Sequence, residues 1–361
     1  MSRTSIVIPT YRRPGLLRRA VQSALAQTHA DFEVWVYDNA SGDETKAVVA
    51  ELAIADPRLR YHQHKHNLGS FGNFRYAIEH VQTEFFSILA DDDVLLPDFH
   101  RLALESFAAA PELILVALAC MKSDSQGRLL RLRAIGPGTY VPPAGLVEML
   151  RQGHLNWTSV LFRRSVLEVI GGLDPDADIY LDFDVLVRAA ARAPFAVRSE
   201  PGAVYFIHGG TISSRGSIDR ERWTAYGAIM ERIAADHTLS EDIRREAVSL
   251  MVRQYETMLL HAALIAASNG NAVMASELAG LVADRKAALA VAAVAVATRF
   301  PGVRWLLARL ANSRRPYTGE RLAHRLRGLV ATSQVRGLTD EQIEILTAWA
   351  PPNFEAVTNR P

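Results

Sequence analysis

The sequence is short of several things, and each shortage removes a class of function. It holds a single cysteine, Cys120, inside the apolar run Leu113 to Cys120. No internal disulfide can form, which fits a reducing compartment and a buried, inert thiol. The net charge is +1 over 361 residues, so no global electrostatic case exists for nucleic acid as a partner. The longest apolar block, Ala287 to Ala297, falls short of the roughly 20 residues that a membrane-spanning helix requires. Ile6-Val7-Ile8 is too short for the apolar centre of a secretory leader. A cytoplasmic protein is expected, soluble or peripheral on the inner face of the membrane. Neither G-x-G-x-x-G nor a Walker lysine motif occurs, which argues against dehydrogenases and P-loop ATPases.

Apolar residues are plentiful, at 49% of the chain, ample for a sizeable core. Short β-branched or apolar runs at Ser5 to Pro9, Phe32 to Tyr37, Leu59 to His62 and Phe85 to Ala90 read as buried strands. Helical patterns separate them: Leu17, Val21, Ala24 and Leu25 after Pro14; Val48, Val49 and Leu52; Phe74, Ile78 and Val81. Strands that alternate with helices specify a parallel, doubly wound sheet. Ligands of such sheets bind beyond the carboxyl ends of the strands. The loops carrying Tyr11, Asp38, Asn67 and Asp91 all fall at those ends.

The fourth strand runs straight into Asp91-Asp92-Asp93. Adjacent carboxylates repel, so they stay in open water or something positive joins them. Oxygen-only ligands at a strand terminus suit Mg²⁺ or Mn²⁺, which in turn can hold a diphosphate. The plainer alternative is an acidic turn ahead of a helix starting near Pro97-Asp98.

These pieces, in order, resemble glycosyltransferase family 2. The resemblance is carried by Ile6 to Arg13 (IVIPTYRR), the Gln27-Thr28-His29 and Asp31-Phe32-Glu33 steps, Asp38 to Thr45 (DNASGDET), Asn67-Leu68-Gly69 and Asp91-Asp92-Asp93. It covers roughly Ser5 to Ser214 and implies a GT-A (Rossmann-like) fold with sugar transfer from nucleotide diphosphate donors with inversion. On that basis the fold class is α/β, a doubly wound mixed sheet over residues 1–217, followed by an all-helical domain over residues 218–361.

Residue by residue, the resemblance implies donor binding by Pro9 (backbone), Tyr11, Asp38, Asn39, Asn67, Asp91 and Asp92. Many relatives have a second aspartate where Asn39 stands; an amide can still meet the imide of uracil or thymine, so a UDP- or dTDP-type donor is favoured. Mn²⁺ or Mg²⁺ would sit on Asp92 and Asp93, with His208 beside the diphosphate or the metal. His208 also reads as a hydrogen-bonded structural residue at a strand end. In Tyr180 to Ala190 (YLDFDVLVRAA), Asp182 takes the place of the general base. Where many members carry Glu just before it, this chain has Leu181, one fewer anion to raise the pKa of Asp182. The alternative makes Asp182 a helix N-cap and Asp184 a partner of the helix dipole. Trp157, in the segment Asn156 to Arg164, would stack on an acceptor sugar or pack in the core, and Asp184 is a second acceptor candidate.

Asp219-Arg220-Glu221-Arg222-Trp223 is similar to the Gln-x-x-Arg-Trp signature of processive synthases, but its first residue differs, and it reads as an ordinary helix start. Beyond Ile218 helical patterns dominate, and Lys286 to Arg315 joins an Ala/Val helix to Trp305 and several arginines. That block would suit an anionic membrane surface, a bundle or a homo-oligomer contact. The expected reaction is metal-dependent transfer of a hexosyl or deoxyhexosyl unit to a saccharide or lipid-linked saccharide, in bacterial cell-surface polysaccharide synthesis. Two other classes stand beside it. One is a non-catalytic sugar-nucleotide-binding subunit, against which the intact Asp182 and Asp91 to Asp93 argue. The other is a sugar-nucleotide pyrophosphorylase, whose Gly-rich loop after the first strand is not Pro9 to Arg13.

Overall fold

The computed structural model describes residues 3–124, 129–133, 135–207 and 220–268. Two compact units divide them: residues 3–207 belong to one and 220–268 to the other. In the first, β1 (Thr4–Thr10), α1 (Pro14–Leu25), β2 (Phe32–Asp38), α2 (Thr45–Ala55), β3 (Leu59–Gln63), α3 (Ser70–Glu79) and β4 (Phe85–Ile88) alternate in the expected order. There follow β5 (Val94–Leu95), α4 (Phe99–Ala109), β6 (Leu115–Asp124), β7 (Leu129–Arg133), β8 (Gly138–Tyr140), α5 (Ala144–Gln152), β9 (Val160–Arg163), α6 (Val166–Val169), α7 (Leu181–Arg192) and β10 (Phe195–Ile207). All ten of these strands join one sheet, in the order β3-β2-β1-β4-β9-β6-β10-β5, with β7 on β6 and β8 on β10.

β1 is buried along its whole length, which is why it reads as a continuous apolar run rather than an alternation. Ile6 and Ile8 enter the main core with Leu17, Val21 and Ala24 of α1 and Val34 and Val36 of β2. The parallel register pairs Thr10 with Asp38 and Asp38 with Gln63. It also pairs Val7 of β1 with Ile88 of β4. Since β2 lies on one side of β1 and β4 on the other, the strand order reverses there. In such sheets the ligand crevice lies at the carboxyl ends of the strands where the order reverses, here β1 and β4.

β4 ends two residues before the expected Ala90. Leu89 still donates to Val7 O, at 3.0 Å, and then Asp93 N closes a turn onto Ala90 O, also at 3.0 Å. The antiparallel insertion of β9 between β4 and β6 makes the sheet mixed. Cys120 is buried on β6, where burial pushes its thiol up to about 12, as an inert thiol requires.

The second unit contains α8 (Arg220–Ala234) and α9 (Glu241–Ser268), close to the helices expected at Glu221 to Ala234 and Glu241 to Ala267. Tyr226 links them, stacking on Tyr255 with its hydroxyl donating to Met251 O at 3.2 Å. The helices expected from Ala272 onward lie outside the described residues, as does His208. Among the described residues, no helix is long and apolar enough to cross a membrane.

One buried histidine gives this fold a pH signature. His100 on α4 has no exposure, and its ring nitrogens lie 2.9 Å from Ser87 Oγ and 3.4 Å from Thr4 Oγ1. Burial holds its pKa down at about 3, against ~6.5 for a free histidine. The unfolded chain therefore takes up a proton below about pH 6.5 that the folded chain refuses, so His100 withdraws stability as pH falls towards 3. Urea unfolding of wild type and His100→Asn between pH 7.5 and 4.5 checks this. The stability gap between them should narrow as pH falls; parallel curves would contradict the assignment.

Candidate active site

Four strand ends build the site, and hydrogen bonds between their loops fix it. At the exit of β1, Arg12 adopts a left-handed backbone, φ 54°. Its N–H donates to Ser41 Oγ at 2.9 Å and its Nε–H to Ser41 O at 3.1 Å, tying this loop to the loop after β2. Tyr11 stands exposed beside it, 5.1 Å from the Arg12 guanidinium. Pro9 is buried in the strand, level with Tyr37.

Asp38 and Asn39 turn inward to hold these loops. Asp38 is fully buried; its Oδ1 accepts from Ser41 N and Oγ, at 3.0 and 2.5 Å. Its Oδ2 accepts from Tyr61 Oη at 2.6 Å and from Gln63 Nε2 at 3.2 Å. Asn39 Nδ2 donates to Asn67 Oδ1 and to Gly69 O, both at 2.9 Å, while its Oδ1 accepts from Leu68 N at 2.8 Å. Asn67 Oδ1 also takes the Gly69 N–H, at 2.7 Å. Gly69 needs its positive φ of 77° to close that turn. Asp38 and Asn39, expected to read the base, hold the loop frame in this structure. Four bonds to Asp38 and both N–H groups of Asn39 serve the loop frame, while Asn39 Oδ1 accepts from Leu68 N and has capacity for one further donor.

At the end of β4, the positive charge that three adjacent aspartates demand comes from helix α1. Arg13 Nη1 bridges Asp91 Oδ1, at 3.1 Å, and Asp92 Oδ2, at 3.0 Å. Asp91 Oδ2 accepts from Thr10 Oγ1 at 2.8 Å. Arg19 donates to the Asp92 carbonyl and lies 4.1 Å over the Phe206 ring. Burial raises Asp91 to about 6 against the pull of Arg13, and burial lowers Arg19. Burial also works against Arg13, but Asp91 and Asp92 outweigh it and raise Arg13.

Asp93 has a different environment. It is fully buried, its Oδ2 accepts from Thr158 Oγ1 at 2.9 Å and its Oδ1 from Phe206 N at 3.0 Å. Burial and the neighbouring Asp92 push its pKa well above the usual carboxylate range. Each Asp93 oxygen carries one bond, fastening the end of β4 to β10 and to the segment before β9, and the residue has no exposure, against 6% for Asp91 and for Asp92. Among the described residues, no three His, Cys, Asp or Glu side chains cluster as a ready metal cage. Asp91 and Asp92 nonetheless fit Mg²⁺ or Mn²⁺, which bind through one or two carboxylates plus substrate phosphates rather than in all-protein cages. Their shared guanidinium marks the spot as one that accepts positive charge.

The acceptor-side residues separate. Trp157 lies in a 3-10 turn, Trp157–Ser159, and stacks on Phe74 of α3 with ring centroids 5.5 Å apart. It is half-buried, next to the Thr158 that anchors Asp93. Asp182 is the second residue of α7, half-buried, with Oδ1 accepting from Phe183 N at 2.7 Å. The N-cap is Tyr180, so the N-cap alternative for Asp182 is overturned. Asp184 is also corrected: it is fully buried and bonded to Arg188, which also holds Ile170 O and Gly172 O. A contact with an incoming sugar would first have to break that pair. Sequence reasoning missed Arg13 and Arg19 as counter-charges. The demand for a cation was legible in three consecutive aspartates, but its source on α1 was not.

Several known proteins are similar to this chain. The profile of Glycosyl transferase family 2 matches residues 5–171. ExoO, a succinoglycan biosynthesis protein of Rhizobium meliloti, is 30% identical over 58% of this chain and 62% of its own length. A GalNAc(5)-diNAcBac-PP-undecaprenol beta-1,3-glucosyltransferase of Campylobacter jejuni is 36% identical over 27% of this chain and 31% of its own. The chain thus spans less than two thirds of either relative. Residues 1–349 of S. aureus TarS, solved with UDP-GlcNAc, superpose with a TM-score of 0.60 at 15% identity, over 86% of this chain and 92% of that one. That likeness concerns the fold, which is the GT-A type expected from the sequence. The likeness to Glycosyl transferase family 2 thus covers residues 5–171 of this chain.

Proposed function

We propose that this chain is an inverting glycosyltransferase that moves a hexosyl or deoxyhexosyl unit from a nucleotide diphosphate sugar to a saccharide or lipid-linked saccharide. The observation that carries the reading is the buried Asp91–Asp92 pair, bridged by Arg13, at the reversal point of a family 2 sheet. TarS was solved with UDP-GlcNAc, which supports a UDP- or dTDP-type donor held against Tyr11, the Pro9 backbone and the Asn67 loop. The relatives' names, succinoglycan biosynthesis and an undecaprenol-linked acceptor, support a role in cell-surface polysaccharide synthesis at the cytoplasmic side of a membrane. In this reading residues 1–217 do the chemistry, and residues 218–361 serve acceptor, membrane-surface or oligomer contacts.

Asp91 and Asp92 would hold Mn²⁺ or Mg²⁺ together with the donor's diphosphate, where the ion neutralises charge on the leaving group. Asp182 takes the proton of the acceptor hydroxyl as that oxygen attacks the anomeric carbon from the face opposite the diphosphate. Trp157, backed by Phe74, offers its ring to the acceptor sugar.

Two substitutions test these assignments. Asp182→Asn should leave the fold and UDP affinity intact while turnover drops by roughly 10²–10⁴-fold, the usual worth of a general base. Nucleoside diphosphate release and UDP titration measure the two quantities; near-normal turnover would sink the assignment. At the carboxylates, Asp92→Asn should weaken Mn²⁺-dependent UDP binding by about tenfold or more. Asp93→Asn should leave it nearly unchanged, because an amide can still accept from Phe206 N and donate to Thr158. Calorimetry with and without EDTA separates them, and equal losses in both variants would return Asp93 to the metal.

A further inference from the structure

We infer that Asn73 is a positioning residue for the donor, whose amide sets the distance between the half of the site that meets the nucleoside and the half that meets the diphosphate. The inference rests on the donor site proposed above and adds a residue to it.

Asn73 lies near the start of α3 and is buried, 2% exposed. Its backbone N–H donates to Gly69 O at 3.2 Å, the carbonyl that also takes Asn39 Nδ2 at 2.9 Å. Its side-chain amide leaves the helix and reaches the sheet. Nδ2 donates to Tyr37 O at 2.9 Å and to Thr10 O at 3.4 Å, and Oδ1 lies 3.0 Å from His64 Nε2. Two carbonyl acceptors lie on one side of the amide, so that side is the nitrogen. The amide oxygen therefore faces His64, and His64 must carry a proton on Nε2. One side chain thus joins the carboxyl ends of β1, β2 and β3.

Those ends are where the donor residues stand. Thr10 and Tyr37 immediately precede Tyr11 and Asp38, and His64 N donates to Asp38 O at 2.9 Å. Thr10 also reaches the other half of the site, because its hydroxyl donates to Asp91 Oδ2 at 2.8 Å. The bonds from His64 to Asn73, from Asn73 to Thr10 and from Thr10 to Asp91 therefore run between the two halves. Without the amide, the end of β1 can shift against β2 and α3 while each half keeps its own bonds. A ligand that engages both halves at once depends on their separation, and a fragment that engages only one does not.

The test compares UDP with its two parts, uridine and inorganic diphosphate, each titrated in Mn²⁺ against the full chain. Calorimetry follows UDP and diphosphate, ligand-observed NMR follows uridine, and the melting temperature is recorded alongside. Asn73→Leu keeps the number of side-chain atoms and removes all three side-chain bonds. It should weaken UDP by about tenfold or more, up to the roughly 10²-fold that ~1 Å of misplacement can cost. Uridine and diphosphate should bind it nearly as they bind wild type. His64→Leu removes only the donor that fixes the amide and should move UDP in the same direction by less, which keeps the inference testable if Asn73→Leu does not fold. Unchanged UDP affinity, or a fragment that falls as far as UDP does, would overturn the positioning role and leave the donor site standing. Wild type that binds neither UDP nor diphosphate would remove the donor-site reading and this inference with it.

Discussion

Three consecutive carboxylates at the end of a buried strand set the terms for everything around them. In a largely desolvated position like charges cannot persist without compensation, and the chain answers with three different arrangements. Asp93 is drawn fully inside, its oxygens fed by Thr158 and the Phe206 N–H and its charge discouraged by burial. Asp91 and Asp92 stay at the crevice and share Arg13. Arg19 supplies a second positive charge from α1, at the Asp92 carbonyl. Breaking one partner out of such a buried pair typically costs about 3–5 kcal/mol. The start of α1, the end of β4 and the segment before β9 are therefore bound into one structure.

A second hub, next to the first, makes the crevice rigid. Asp38 and Asn39 gather Ser41, Tyr61, Gln63, Asn67, Leu68 and Gly69, while Arg12 reaches across to Ser41 from the loop after β1. Asn73 of α3 adds bonds to the carbonyls of Tyr37 and Thr10, at 2.9 and 3.4 Å. Loops that would otherwise be mobile are thus held in one arrangement before any ligand is present, which is the condition for a site that positions a charged donor.

The strands and helices of the first ninety or so residues were legible because each element is local. Burial on both faces writes β1 and β4 as apolar runs, and the spacing of Leu17, Val21 and Ala24 writes α1. Motif order carried the family, and the chemistry of adjacent anions required a cation. The identity of that cation was hidden, because Arg13 meets Asp91 across a sequence separation of 78 and no local pattern records such a pairing. The same limit explains β9, whose place between β4 and β6 depends on antiparallel partners far along the chain. Asp184 misled for a related reason: its helical neighbour Arg188 lies one turn away, at a spacing that equally describes an ordinary surface ion pair. Only its complete burial separates the two.

Product identity tests the account most directly. Purified protein is incubated with a panel of nucleotide sugars and Mn²⁺, and the released species is identified. The account predicts a nucleoside diphosphate from a UDP- or dTDP-sugar, released with Mn²⁺ and not with EDTA, because the reaction breaks the bond between the anomeric carbon and the diphosphate. Release of inorganic diphosphate, or the same nucleoside diphosphate yield in EDTA, would contradict it.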